Sequence, residues 1–268
     1  MSNYVSKQPD ERGIIDWTEA ENQTWQTLYN RQVEIVKDRA CHEYVEGLKL
    51  LHMSSSHVPQ LTELTAAFKE TTGWSVAPVP AMIKPEQFFE LLANKTFPAA
   101  TFIRTPEDLD YLQEPDIFHE FFGHCPMITH QPFADFIQAY GKLALISKKE
   151  HRKYLARLFW FTVEFGLIKT NQGPRCYGGG ILSSKNETIY AVESPVPIRK
   201  PFDLIEVLRT PYRVDQIQGV YFVIESFEQL FHILKEDIAA AIETAQALGE
   251  LSLIETDKGA SKDEWTTC

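Results

Sequence analysis

Two histidines, His119 and His124, stand five residues apart in "PDIFHEFFGHCPM" (115–127), with Glu120 directly after the first and Gly123 directly before the second. Imidazoles beside a carboxylate are ordinary metal ligands, but the spacing is unusual. The zinc-peptidase pattern sets its histidines four apart on one helical face. Five residues of ideal α-helix turn the chain through about 500°, which leaves the two rings well apart in azimuth. Gly123 offers a place to leave helical geometry without a Cβ penalty, and Pro126 argues that the helix ends there. The sequence therefore predicts a broken helix end from which His124 swings back toward His119.

Two neutral imidazoles hold a divalent ion loosely, and an anionic third ligand would complete a 2-His-1-carboxylate face with three open positions. Such a face suits non-haem iron(II) that must bind dioxygen. Glu164 stands out because it interrupts the most aromatic run of the chain, "LFWFTVEFGL" (158–167). An ionised side chain there is costly unless paired or metal-bound. On the residues alone two other accounts stay open. In one, the histidines are ordinary core or surface side chains and Glu164 caps or pairs elsewhere. In the other, Glu120 is the general base of a zinc hydrolase, although those enzymes use the four-residue spacing.

The elements that must position these residues are mostly helical. Trp25, Leu28, Tyr29, Val36, Ala40, Leu48 and Leu51 recur at helical intervals and predict one long amphipathic helix over 24–51. Pro59 and Gly73 bracket a second helix and Pro85 opens a third, with "SVAPVPAMIK" (75–84) between them as an ordered loop. "FPAATFIR" (97–104) reads as a short strand, and Thr105 caps a helical segment that begins at Pro106. Two helices follow over 131–167, and in the second Ala156, Trp160 and Glu164 fall at i, i+4 and i+8, so that one face carries an indole and a carboxylate. "RCYGGGILSS" (175–184), "ETIYAVES" (187–194) and "YFVIE" (221–225) read as strands, and a helix starts at Ser226 with Gln229 completing a capping box. The expected class is mainly α with a small β element (α+β). It comprises a polar leader over 1–20, one catalytic domain over 21–248 and a polar tail over 249–268.

A hydrophobic fraction of 44% in 268 residues is enough for a sizeable core. Cys41, Cys125, Cys176 and Cys268 form no C-x-x-C pair, which argues against a disulfide framework or a cysteine zinc site and for thiols in a reducing compartment. The polar N-terminus has no apolar signal core, and no stretch approaches the ~18 apolar residues of a membrane span, so a cytoplasmic protein with no membrane partner is expected. The net charge is −11 and the basic residues form no stripe, which argues against a nucleic acid partner. Gly178–Gly180 lack the Lys-Ser/Thr of a phosphate loop.

Taken together and in this order, "EPDIFHEFFGHCP", "FWFTVEFGL" and "YGGGILSS" make the chain similar to the pterin-dependent aromatic amino acid hydroxylases, over roughly residues 75–230. Its short form resembles the bacterial members that act on phenylalanine, without room for an animal-type regulatory domain or tetramerisation helix. The resemblance implies a helical basket with a small sheet, in which His119, His124 and Glu164 ligate iron(II). It implies L-phenylalanine, dioxygen and a tetrahydropterin co-substrate as small-molecule partners, with L-tyrosine as product. It further places Arg104 on the substrate carboxylate, supported by Ser183, and Trp160 and Phe165 around the substrate ring. Ile83, Phe88, Glu120, Ala156 and Tyr221 match pterin positions, and Asp116 matches a residue that orients His119 or caps its helix. A monomer or dimer is expected. The chain departs from animal members at Leu112-Gln113, where Thr-Pro is usual, and at Phe159, often tyrosine.

Overall fold

The structure is a computed structural model that describes residues 4–80, 83–112 and 114–254. Gln113, Cys268 and most of the tail lie outside these residues. Residues 4–18, before the first helix, pack on the domain: Lys7 N donates to Thr101 O at 2.8 Å, and Ile15 is buried.

Helix α1 (Glu19–Val36) opens on a capping box between Thr18 and Glu21. The helix expected over 24–51 is in fact two, α1 and α2 (His42–Leu50), because the chain breaks at 37–41 with Asp38 at φ 60°. Long-range pairing wins there. Cys41 N donates to Cys176 O and Cys176 N to Arg39 O, a bridge that helical geometry forbids. Helix α3 (Leu61–Thr71) starts after Gln60 rather than at Pro59, and ends where Gly73 takes φ 77°.

Half of the expected loop at 75–84 is a strand. β1 (Ser75–Val79) pairs in parallel with β2 (Thr96–Ala100), a two-stranded sheet in which Pro78 is tolerated at an edge; Ala81 and Met82 lie outside the described residues. Helix α4 (Pro85–Ala93) begins at Pro85 as the sequence predicts, and the segment after Thr105 is a single 3-10 turn, Pro106–Asp108.

Four further helices follow, α5 (Cys125–Ile128), α6 (Gln131–Ile146), α7 (Arg152–Phe159) and α8 (Gly179–Leu182). "ETIYAVES" is not a strand but most of α9 (Lys185–Glu193), which Ser184 caps by accepting from Glu187 N. Its β-branched residues mislead, whereas Glu187, Thr188, Tyr190 and Ala191 are buried as one helical face. The second sheet runs β4 (Gly173–Cys176), β3 (Leu167–Thr170), β6 (Val220–Ile224), β5 (Ile198–Pro201), with β3–β4 antiparallel and the other pairs parallel. Helices α10 (Leu204–Arg209), α11 (Phe227–Ile233) and α12 (Ile238–Leu248) complete the domain. At α11 the capping box does not form; Gln229 Oε1 instead accepts from Glu225 N at 2.8 Å. No helix among the described residues is long and apolar enough to cross a membrane.

Candidate active site

His119 and His124 are brought together without any break in the helix. Residues His119–His124 form a π-helical turn that runs straight into α5, with Pro126 near its start. The i→i+5 bond from Cys125 N to Glu120 O widens the turn so that residues five apart stack, which an α-helix cannot do. A second π turn, Trp160–Glu164, follows α7 and is closed by Phe165 N to Trp160 O at 2.8 Å. Regular α geometry thus ends at Phe159, and the face expected to run through Ala156, Trp160 and Glu164 is interrupted at its last turn.

Glu164 Oε1 lies 3.3 Å from His124 Nε2, Glu164 Oε2 lies 3.8 Å from His119 Nε2, and the two Nε2 atoms are 3.1 Å apart. Glycines permit this closure. A Cβ on Gly123 would stand 2.6 Å from Gly179 O, and one on Gly179 would stand 2.4 Å from the His124 ring. The triple glycine, weak as a nucleotide motif, is therefore the surface that seats both π turns.

Hydrogen bonding fixes which nitrogen of His119 is free. Ser183 Oγ donates to Gly179 O at 2.8 Å, so its oxygen accepts from His119 Nδ1, 2.9 Å away. Nε2 is left with its lone pair facing Glu164 and His124, as a metal ligand requires. Ser183 thus holds the imidazole, where the resemblance had put it at the substrate end. Asp116 does not touch that ring: Oδ1 accepts from His119 N at 3.0 Å, the capping alternative.

A second carboxylate competes for the third position, because ligand atoms of His119, Glu120 and His124 all lie within 4.8 Å of one another. Electrostatics separate the two. Burial pushes Glu164 up, but the charge and hydrogen bond of His124, the His119 ring and the Gly180 N–H outweigh it and hold the carboxyl at about 2. Burial pushes Glu120 up to about 8, with His124 pulling only part of the way back, and no hydrogen bond reaches its carboxyl among the described residues. Desolvation also lowers His119 to about 4, so the ring is neutral. Glu164 is the ionised ligand candidate, and Glu120 a half-buried carboxyl without a hydrogen-bond partner among the described residues.

Arg104 is buried and tied to Asp116 by Nε–Oδ2 and Nη2–Oδ1 contacts of 2.8 Å each. Burial pushes the Asp116 carboxyl up, yet the Arg104 charge and hydrogen bonds bring it below its ordinary value. One carboxylate therefore links the arginine to the backbone of the first histidine. Two of the five guanidinium N–H groups are spent on it, and the other three carry no hydrogen bond among the described residues.

Trp160 stacks on Phe165 at 4.6 Å and on Tyr212 at 4.3 Å, while its indole N–H donates to Gln218 Oε1 at 3.1 Å. Tyr212 and Gln218 carry no motif, and only the fold brings them to Trp160. Phe88 is half-buried with its ring 5.5 Å from Phe159, and Ile83 and Ala156 are half-buried in the loop before α4 and on α7. Tyr221 does not line the site: it is fully buried on β6, with its hydroxyl on Glu187.

The model of one family, described as biopterin-dependent aromatic amino acid hydroxylase, matches residues 2–247. The chain belongs to this family. Among its relatives, a phenylalanine-4-hydroxylase of Pseudomonas aeruginosa is 52% identical over 92% of this chain and 94% of its own. The apo structure of the cold-active phenylalanine hydroxylase from Colwellia psychrerythraea superposes with a TM-score of 0.91 at 51% identity, covering 93% of this chain and 97% of that one. The Chromobacterium violaceum phenylalanine hydroxylase with bound oxidised Fe(III) superposes at 0.85 and 44% identity, covering 88% and 86%. Membership in the hydroxylase family sets zinc hydrolysis aside.

Proposed function

We propose that this chain converts L-phenylalanine to L-tyrosine with dioxygen and a tetrahydropterin co-substrate, at a non-haem iron(II) held by His119, His124 and Glu164. The observation that carries the reading is the convergence of two imidazoles and one ionised carboxylate in a member of this hydroxylase family. The donor set fits such an ion. Donors about 2.1 Å from one metal and at right angles stand about 3 Å apart, against 3.1, 3.3 and 3.8 Å here. Iron and reduced pterin, when bound, supply the electrons that split dioxygen, one atom going to the substrate ring and the other leaving on the pterin.

The chain's own residues bind and orient. The outer edge of Arg104 takes the amino acid carboxylate, a planar two-point contact for which lysine has no equivalent. Trp160 and Phe165 form a dry aromatic wall for the ring, which keeps water from the reaction. Glu120, half-buried and without a hydrogen-bond partner among the described residues, accepts pterin N–H groups, and Ile83, Phe88 and Ala156 supply an apolar face for the flat heterocycle. Ser183 holds His119 in the tautomer that leaves Nε2 free. Buried thiols at Cys41, Cys125 and Cys176 suit a reducing cytoplasm, and the protein works as a monomer or dimer.

The test is metal analysis of the purified protein together with product assays on L-phenylalanine, L-tryptophan and L-tyrosine. Tyrosine formation that requires iron, dioxygen and tetrahydropterin is expected. Product from tryptophan alone, or turnover without pterin, overturns the reading.

A further inference from the structure

Glu187 is a buried carboxyl for which the reaction has no use. It lies on the inner face of α9 at 6% exposure, and no cation pairs with it among the described residues. Its partners are the Tyr221 hydroxyl and the main-chain N–H of Gln218, the latter at 3.1 Å. Burial pushes the carboxyl up to about 7, with Tyr221 and Gln218 pulling it part of the way back. A polar group this costly to bury marks a place where its hydrogen bonds fix a neighbour.

That neighbour is Gln218. Its main-chain N–H is spent on Glu187, and its Nε2 donates to Arg213 O at 2.8 Å and Gln216 O at 2.9 Å. Nε2 has only two hydrogens, so the amide cannot flip without losing both bonds, and Oε1 is left as a fixed acceptor. The group it meets is the Trp160 indole N–H at 3.1 Å. Trp160 already stacks on both Phe165 and Tyr212. Stacking sets the plane of the indole and leaves it free to turn within that plane, whereas a hydrogen bond at the ring edge stops the turning.

We propose that Gln218, held in place by Glu187, positions the Trp160 indole and thereby sets the size of aromatic ring that the amino acid pocket accepts. The inference rests on the reading of Trp160 as a wall of that pocket. Gln218 and Glu187 touch no reacting atom; both are positioning residues that act through Trp160.

The experiment is a double-mutant cycle between Gln218→Leu and Trp160→Phe. Leucine removes the acceptor at similar bulk, and phenylalanine removes the N–H that needs it. In the wild-type background Gln218→Leu is expected to raise KM for L-phenylalanine roughly three- to ten-fold, the worth of one hydrogen bond. Its kcat and pterin KM stay within about two-fold, and the ratio of L-tryptophan to L-phenylalanine turnover rises. In the Trp160→Phe background the same change is expected to move KM by less than about two-fold. Calorimetric binding of L-phenylalanine to the metal-free protein gives the same cycle without turnover. Should Gln218→Leu fail to fold, Gln218→Met, unbranched and of similar length, is read in the same way. A wild-type chain that neither binds nor hydroxylates L-phenylalanine sinks the functional reading. Wild-type turnover, with KM and ring selectivity unmoved by the Gln218 change or moved equally in both backgrounds, sinks the positioning role alone.

Discussion

Glu164 and Glu187 are both withdrawn from water, yet they end on opposite sides of an ordinary carboxyl, one at about 2 and the other at about 7. Burial raises both. Glu164 faces two imidazoles and the Gly180 N–H, while Glu187 faces a phenol and one amide. The charge of the partners, rather than depth, decides which carboxyl stays an anion. The two π turns therefore present an anion toward the place a cation would occupy, and the wall behind Trp160 presents a hydrogen-bonded carboxyl raised to about 7, whose value is geometric.

The largest effect that can break this contrast is at Glu164. Glu164→Ala is expected to lose iron through dialysis and to lower tyrosine formation by more than about 100-fold, since even residues that only support metal ligands cost 10–100-fold. Circular dichroism should be unchanged, because the alanine leaves no buried charge behind. Normal iron content in that variant would hand the third position to Glu120.

Next in size is Asp116, the one carboxylate that serves both the arginine and the first histidine. Asp116→Ala leaves Arg104 charged, 7% exposed and without its partner. A loss of about 3–5 kcal/mol is expected from urea unfolding, the cost of stranding a buried ion. A loss below about 1 kcal/mol would mean that Arg104 reaches water when Asp116 is gone.

The three side chains that converge were legible as candidates because of their types, two imidazoles and one carboxylate in an aromatic run, although the residues alone left other accounts open. The means of convergence was not. The i→i+5 register of a π turn has no sequence signature, so Gly123 reads as a helix breaker, when its actual service is to let Gly179 O approach. Asp116 caps the His119 turn, one of the two roles expected of it, and the contact of Ser183 with the His119 ring was not foreseen, because it depends on where α8 docks. Helix α9 reads as a strand from Thr188 and Ile189, and only the buried face reveals its period. Gln218 lies 58 residues from Trp160, and local pattern carries no information over that separation. The hydroxylase relationship supplied the roles of single residues, and the packing supplied their partners.

Arg104→Lys tests the outer edge of the arginine. Lysine has no planar fork for both Asp116 and a substrate carboxylate, so KM for L-phenylalanine is expected to rise about 30–100-fold with the pterin KM within about two-fold. A parallel rise in both constants would place Arg104 in the scaffold rather than on the amino acid.

The smallest effect sharpens the contrast most, because it reads Glu187 directly. Its folded value of about 7 lies above the ordinary 4.5, so the folded chain holds this proton more tightly than the unfolded chain does. Stability from this group is complete below about pH 4.5 and is lost as the pH rises through about 7, because unfolding then releases a proton that the native state had kept. Each tenfold gain in proton affinity is worth about 1.4 kcal/mol, and relaxation around Tyr221 and Gln218 reduces the total to about 1–2 kcal/mol. Glu187→Gln keeps an oxygen for both donors and cannot ionise. The difference in unfolding free energy between variant and wild type should therefore grow in the variant's favour from pH 5 to pH 7.5. The subtraction removes the histidines that titrate in the same range. A flat difference would mean that Tyr221 and Gln218 hold Glu187 as an anion throughout, and the two carboxyls would then differ in partners but not in charge.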